Sequence, residues 1–260
     1  MIDTHCHLMD NKLSSKKDHY IEKAHSAGVT AMVTLGITID SSKEAVAIAQ
    51  TFNTVYAAVG IYPSEVSPNK ETWEKDMTKI EELSHLPQVV AIGETGLDEQ
   101  YIYDVPMETQ IENLTAHLKL SLAVEKPLVI HSRGTSKQLL QTVQSHWDER
   151  LRNKVVFHCC EPLPELLSFA IEKDIYIGVN GDVTYNQEKA LFVSTVPLER
   201  LVIETDAPYL LPQPLRDQKA FPNAPHNLPI IADKIATIKQ TTIEEIDRYT
   251  TQNAQTLFGI

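Results

Sequence analysis

A chain of 260 residues, 42% of them hydrophobic, can bury one large core, and its length admits either two small domains or one α/β barrel. A net charge of −12 argues against extensive duplex binding, which needs a basic face, but not against a phosphate-ester substrate, because bound divalent cations reverse a local field. No apolar run of about 18 residues and no leader-like start occur, and the three cysteines form neither a disulfide framework nor a CxxC zinc site; a cytoplasmic protein with reduced thiols and no membrane partner is expected.

The chain opens with MIDTHCH (1–7), read as a first strand. A Ser-capped amphipathic stretch over 14–27 follows and stops at Gly28, the pattern of a helix. Strands are then expected over 29–35, 54–60, 89–93, 127–131, 155–159, 175–179 and 201–205. Helices are expected over 41–52, 70–85, 105–124, 135–150, 163–173, 186–195 and 226–240. Leu163-Pro164 suits a helix start, since proline is tolerated in the first turn. The continuous Val/Ile/Ala runs fit parallel strands buried on both faces. Eight strand–helix units in this length predict an α/β fold, a single-domain (β/α)8 TIM barrel over 1–260. A doubly wound open sheet is the alternative, weakened because no Gly-rich phosphate turn follows the first strand.

Ligand-type residues gather at the C-terminal ends of these strands: His5 and His7, Glu94, His131, His158 and Asp206. In a barrel all those ends meet at one rim, where catalysis takes place. His5 and His7 are two apart on a strand, so both rings share a face and Cys6 points the other way. Four imidazoles and two carboxylates form a nitrogen and oxygen set for a divalent metal such as Zn, Mn or Mg. Six ligands exceed the need of one tetrahedral ion, so two ions are inferred, with Glu94 as the bridge. His19, His25, His85, His117, His146 and His226 stand outside the pattern, most of them on predicted helices where exposure is expected.

HCH (5–7), GETGLD (93–98), VIHSR (129–133), FHC (157–159), YIGVNGDVTY (176–185) and IETDAPYL (203–210) together resemble the TatD family of metal-dependent hydrolases, on the amidohydrolase-like barrel. The resemblance runs over nearly the whole chain. It implies that His5, His7 and Asp206 hold one ion, that His131 and His158 hold a second, and that Glu94 bridges them. Asp206 would also take the proton of the attacking water. The implied activity is a DNase cleaving phosphodiester bonds, trimming single-stranded ends from the 3′ side.

Four departures from the family pattern lie where substrate would sit: Tyr62 in place of a histidine, Gly134 after HSR, Cys160-Glu161-Pro162 after FHC, and Ala224 in place of an acid. They encourage a second reading, a metal-dependent hydrolase of a small ester, lactone or amide on the same barrel. A non-catalytic metal-binding scaffold is a third. Arg133 is a candidate phosphate contact or a rim ion pair, and Tyr62 a candidate base-stacking residue. Glu204 is expected to support a ligating histidine, and Asn223 to contact substrate or, more simply, to cap the 226–240 helix. Glu99 and Glu161 would repel phosphate unless they turn away.

Overall fold

In the computed structural model, which describes all 260 residues, eight parallel strands follow one another in chain order. They are β1 (Ile2–Cys6), β2 (Ala31–Leu35), β3 (Val55–Val59), β4 (Val89–Asp98), β5 (Leu128–Arg133), β6 (Val155–Phe157), β7 (Tyr176–Val179) and β8 (Leu201–Ile203). The last strand returns to the first: Asp206 N–H donates to His5 O at 2.9 Å, and Thr4 Oγ1 donates to Ile203 O at 3.0 Å. Helices α1 (Lys17–Ser26), α2 (Ile39–Thr51), α3 (Lys70–Ser84), α4 (Met107–Val124), α5 (Ser136–Ser145), α6 (Pro164–Glu172), α7 (Gln187–Thr195) and α8 (Leu228–Lys239) follow the strands in alternation. This is the expected barrel, and the open-sheet alternative is excluded by the return of β8 to β1.

Some ends shift, with α5 stopping at Ser145 rather than 150 and α1 starting at Lys17 without a serine cap, and two further elements depart from expectation. β4 runs on to Asp98 rather than ending at Gly93, because Thr95 to Asp98 pair with Ile130 to Arg133 of β5. A ninth helix, α9 (Ile243–Phe258), follows α8 with no strand between them. Its buried face mixes Ile246, Ala254, Leu257 and Phe258 with Thr250 and Asn253, so its apolar stripe is thin. Asn253 Nδ2 earns its burial by donating to Leu198 O and Leu201 O, both at 2.7 Å.

Side chains sort into two apolar layers. Val33, Leu35, Ala58, Ala91, Val129 and Val202 point into the barrel, and Ala254, Leu257 and Phe258 of α9 pack on this set. Met32, Ile92, Ile130, Phe157, Ile177 and Ile203 point out, under the helices. Cys6 joins that outer layer, as alternation requires, with Sγ 3.4 Å from Val33 O. Strict alternation would not put Ile2 and His5, or Ala91 and Glu94, on the same face. The register shifts between Asp3 and Cys6 of β1, and between Ile92 and Thr95 of β4, reset the phase and turn His5 and Glu94 inward.

Candidate metal centre

The six residues singled out from the sequence converge on one mouth of the barrel. His5 and Glu94 come from β1 and β4, and His131 from β5; His7, His158 and Asp206 stand just beyond β1, β6 and β8. His5, His7, Glu94 and His158 are buried, while His131 and Asp206 are partly open to the cleft.

Their atoms divide around the two oxygens of Glu94. His5 Nε2 lies 3.2 Å from His7 Nε2, 3.4 Å from Glu94 Oε2 and 3.8 Å from Asp206 Oδ1. His7 Nε2 is 3.6 Å from each of those two carboxylate oxygens. Four donors around a tetrahedral ion at about 2.1 Å stand about 3.4 Å apart, so this group has the span of a metal cage. Glu94 Oε1 faces the other way, 3.1 Å from His131 Nδ1 and 3.8 Å from His158 Nε2. His131 Nδ1 is buried and has no hydrogen-bond partner. A ring nitrogen lone pair facing a carboxylate oxygen at that distance needs a proton or a cation between them, and the donors present fit a divalent ion.

The electrostatics agree. Burial alone would raise the Glu94 carboxyl, but His5, His131 and His158 outweigh it and hold Glu94 well below the usual carboxylate range. Burial also works against charge on His7, yet Asp206 and Glu94 lift it to about 9. His5, the most enclosed ring, is lowered by burial. A pocket that draws protons onto its imidazoles in this way will draw metal cations in competition with them.

Further contacts aim the rings. His7 Nδ1 donates to Leu35 O at 2.9 Å, leaving Nε2 for the cage. His158 Nδ1 faces Glu204 Oε1 at 2.9 Å, the supporting role expected of Glu204. Gly178 makes this possible, since a Cβ there would stand 2.7 Å from Glu204 Oε2. Asp98, which the sequence offered only as part of a motif, proves central. It is fully buried at the end of β4, in register with Arg133, and accepts Arg133 Nη2 at 2.6 Å and Tyr62 Oη at 2.7 Å. Asp98 Oδ2 also lies 3.2 Å from His131 Nε2. Arg133 and Tyr62 thus both reach the cleft, with their polar ends turned to Asp98.

The cleft above the cage measures about 1300 Å³ and is lined by Tyr62, Tyr101, Arg133, Tyr209 and several acids. Glu161 also lines the cleft, with its carboxylate engaged: it accepts Gly134 N–H at 2.7 Å and Ser136 Oγ at 2.6 Å, at the start of α5. Two expectations are corrected. His117 is not exposed; it is fully buried on α4, where Nε2 accepts Ile61 N–H at 3.1 Å and Nδ1 donates to Asn113 O at 2.8 Å. Asn223 does not cap the 226–240 helix, which begins at Leu228 with Asn227 before it. Instead Asn223 Nδ2 donates to Thr205 O at 2.8 Å and pins the loop after Asp206.

Residues 2–259 match the family model described as TatD related DNase. The chain belongs to the TatD family. As a TatD protein it is a hydrolase, and the earlier resemblance is borne out along its full length. It is 31% identical to the uncharacterized metal-dependent hydrolase YabD of Bacillus subtilis, covering 100% of this chain and 99% of that protein. It is 30% identical to the 3′-5′ ssDNA/RNA exonuclease TatD of Escherichia coli K12, again covering 100% and 99%. The crystal structure of YJJV, a TatD homologue from E. coli, superposes with a TM-score of 0.90 at 26% identity, covering 100% of this chain and 98% of that one. The phosphotriesterase homology protein of E. coli, crystallised with phosphate in its active site, shares the fold at a TM-score of 0.70 and 13% identity, over 99% and 97%. No helix of this TatD protein is long and apolar enough to cross a membrane.

Proposed function

We propose that the protein is a nuclease that hydrolyses phosphodiester bonds at the ends of single-stranded nucleic acid, from the 3′ side, using two divalent cations. The observation that carries this is Glu94, whose Oε2 lies beside His5 and His7 and whose Oε1 lies beside His131 and His158, within a wider cluster in which His158 also stands 3.9 Å from Asp206. In this reading His5, His7 and Asp206 would hold one ion and His131 and His158 the other, with Glu94 available to both through its two oxygens. Bound there, divalent ions would supply Lewis-acid polarisation of the phosphoryl oxygens and acidify a water near neutral pH.

The chain's own groups do the rest. Asp206, partly open to the cleft, accepts the proton of the attacking water through a carboxylate that His7, His158 and His5 keep ionised against its burial. Arg133, half exposed beside Asp98, offers positive charge to the phosphate. Tyr101 and Tyr209 line the cleft, each with a cation over its ring, Arg133 at 5.6 Å and Lys12 at 4.7 Å, and supply aromatic surface for unpaired bases. The cleft exceeds the roughly 300–1,000 Å³ typical of small-molecule pockets, which favours a strand over a small ester. The relatives named as ssDNA/RNA exonucleases support the same substrate class.

The test is direct. Bound metal is measured, and 5′- and 3′-labelled single-stranded and duplex DNA and RNA are incubated with Mg, Mn or Zn. The expected result is progressive shortening from the 3′ end, reduced about 10²- to 10⁴-fold by Asp206→Ala. Intact nucleic acid under every metal, with hydrolysis of a lactone or phosphotriester, would give the site to the small-substrate reading.

A further inference from the structure

We infer that Tyr62 is a positioning residue for metal binding rather than a surface for a base: with Asp98 it fixes which nitrogen of His131 is free. This rests on the two-cation reading above and deepens it by assigning a residue at a position where the sequence departs from its family.

The argument is a count of protons around three groups. Asp98 takes the Arg133 guanidinium across both of its oxygens and accepts Gln100 N–H at 2.9 Å, the bonding of a carboxylate, so it can only accept hydrogen bonds. Arg133 Nε lies 3.0 Å from both Asp98 oxygens, and Nη2 lies 2.6 Å from Oδ2. The phenol of Tyr62, 2.7 Å from Oδ2, must therefore be the donor in that pair. Having given its one proton to Asp98, the Tyr62 oxygen has only lone pairs to show to His131 Nε2, 3.0 Å away. Asp98 Oδ2 stands 3.2 Å from the same nitrogen and is also an acceptor. Two acceptors facing one ring nitrogen require that nitrogen to carry hydrogen. Nε2 of His131 is thus the nitrogen that carries hydrogen, which leaves Nδ1, 3.1 Å from Glu94 Oε1, as the one free to take a cation.

Placement supports this. Tyr62 sits where the chain leaves β3, with its backbone N–H tied to Ile37 O at 3.0 Å and Pro63 next in sequence, so the ring has a fixed root. Its ring lies 4.8 Å from that of His131, close enough to limit rotation. A phenol both donates and accepts at one atom, which is what a place between a carboxylate and an imidazole N–H demands. Loss of such a support typically costs about 10- to 100-fold in metal affinity.

The experiment is calorimetric titration of Mn into metal-free wild type, Tyr62→Phe and Asp98→Asn, with thermal melts to verify folding. It is paired with kcat and KM on a single-stranded oligonucleotide at saturating Mn. The expected wild-type result is two binding events. In Tyr62→Phe one event is unchanged and the other weakens at least tenfold, KM stays within twofold, and excess Mn restores most of kcat. Asp98→Asn weakens the same event with Tyr62 in place. Two wild-type events that persist unchanged in Tyr62→Phe would overturn the inference, and so would a large rise in KM with both events intact, which would make Tyr62 a substrate contact. A wild type that takes up one ion or none would instead overturn the two-cation reading itself.

Discussion

Glu204 Oε1 stands 2.9 Å from Nδ1 of His158 and accepts the backbone N–H of Cys159 at 2.7 Å. One carboxylate thereby aims an imidazole and holds the turn that carries it. Glu204→Gln is expected to lower metal affinity about 10- to 100-fold with little change in melting temperature, because an amide still fills the space. Gly178→Ala is expected to act in the same direction by pushing on Glu204. Metal content after dialysis against graded chelator measures both; unchanged retention in both variants would remove Glu204 from any role at the centre.

Removing metal should loosen the protein as well as silence it. Cations that bind only the folded state add roughly 2.7 kcal/mol per site at a concentration 100 times the dissociation constant. The expected outcome is a lower midpoint of thermal unfolding in chelator, recovered by adding back Mn or Zn. Differential scanning calorimetry reads this, and coincident melts with and without chelator would contradict it.

His117 sets an acid limit on stability. Burial pushes its pKa down to about 4 from an ordinary 6.5. The unfolded chain then binds a proton that the folded chain refuses between those values. His117 therefore imposes no penalty above pH 6.5, and a growing one as the pH falls toward 4, roughly 3 kcal/mol at the limit. His117→Gln should be less stable at pH 7 yet lose less stability on acidification. Urea midpoints across pH 4 to 7.5 in chelator, compared between the two proteins, test this; parallel curves would exclude His117.

Phe258→Ala is expected to destabilise by about 3–5 kcal/mol, since the ring is buried against the strands inside the barrel. Metal affinity and kcat should remain near wild type below the melting transition, because α9 lies away from the cleft. Denaturant midpoints alongside a metal titration separate the two effects.

The alternation of apolar runs and amphipathic stretches made the barrel legible, and ligand types at strand ends made the six-residue cluster legible. What stayed hidden depends on pairing between distant residues. Asp98 looked like the tail of a motif until the β4–β5 register set it opposite Arg133. The helix α9 was missed because Thr250 and Asn253 occupy its buried face; Thr250 donates to Ile246 O within the helix, but the burial of Asn253 depends on the distant Leu198 O and Leu201 O. His117 was read as exposed because nothing in the helix pattern announces that Ile61 N–H waits across the interface.

The inner face of the barrel changes character along its height, from Ala58, Ala91, Val129 and Val202 to imidazoles and carboxylates. In evolutionary terms the two levels are governed by different rules. Lower positions can exchange one aliphatic side chain for another whenever neighbours compensate in volume. The upper level holds charged groups that compensate one another, so replacing Glu94 alone with an apolar residue leaves buried imidazoles without their counter-charge and should cost stability as well as activity. Single steps away from the chemistry are then opposed twice, by folding and by turnover, and only concerted replacement of the whole cluster escapes the first constraint.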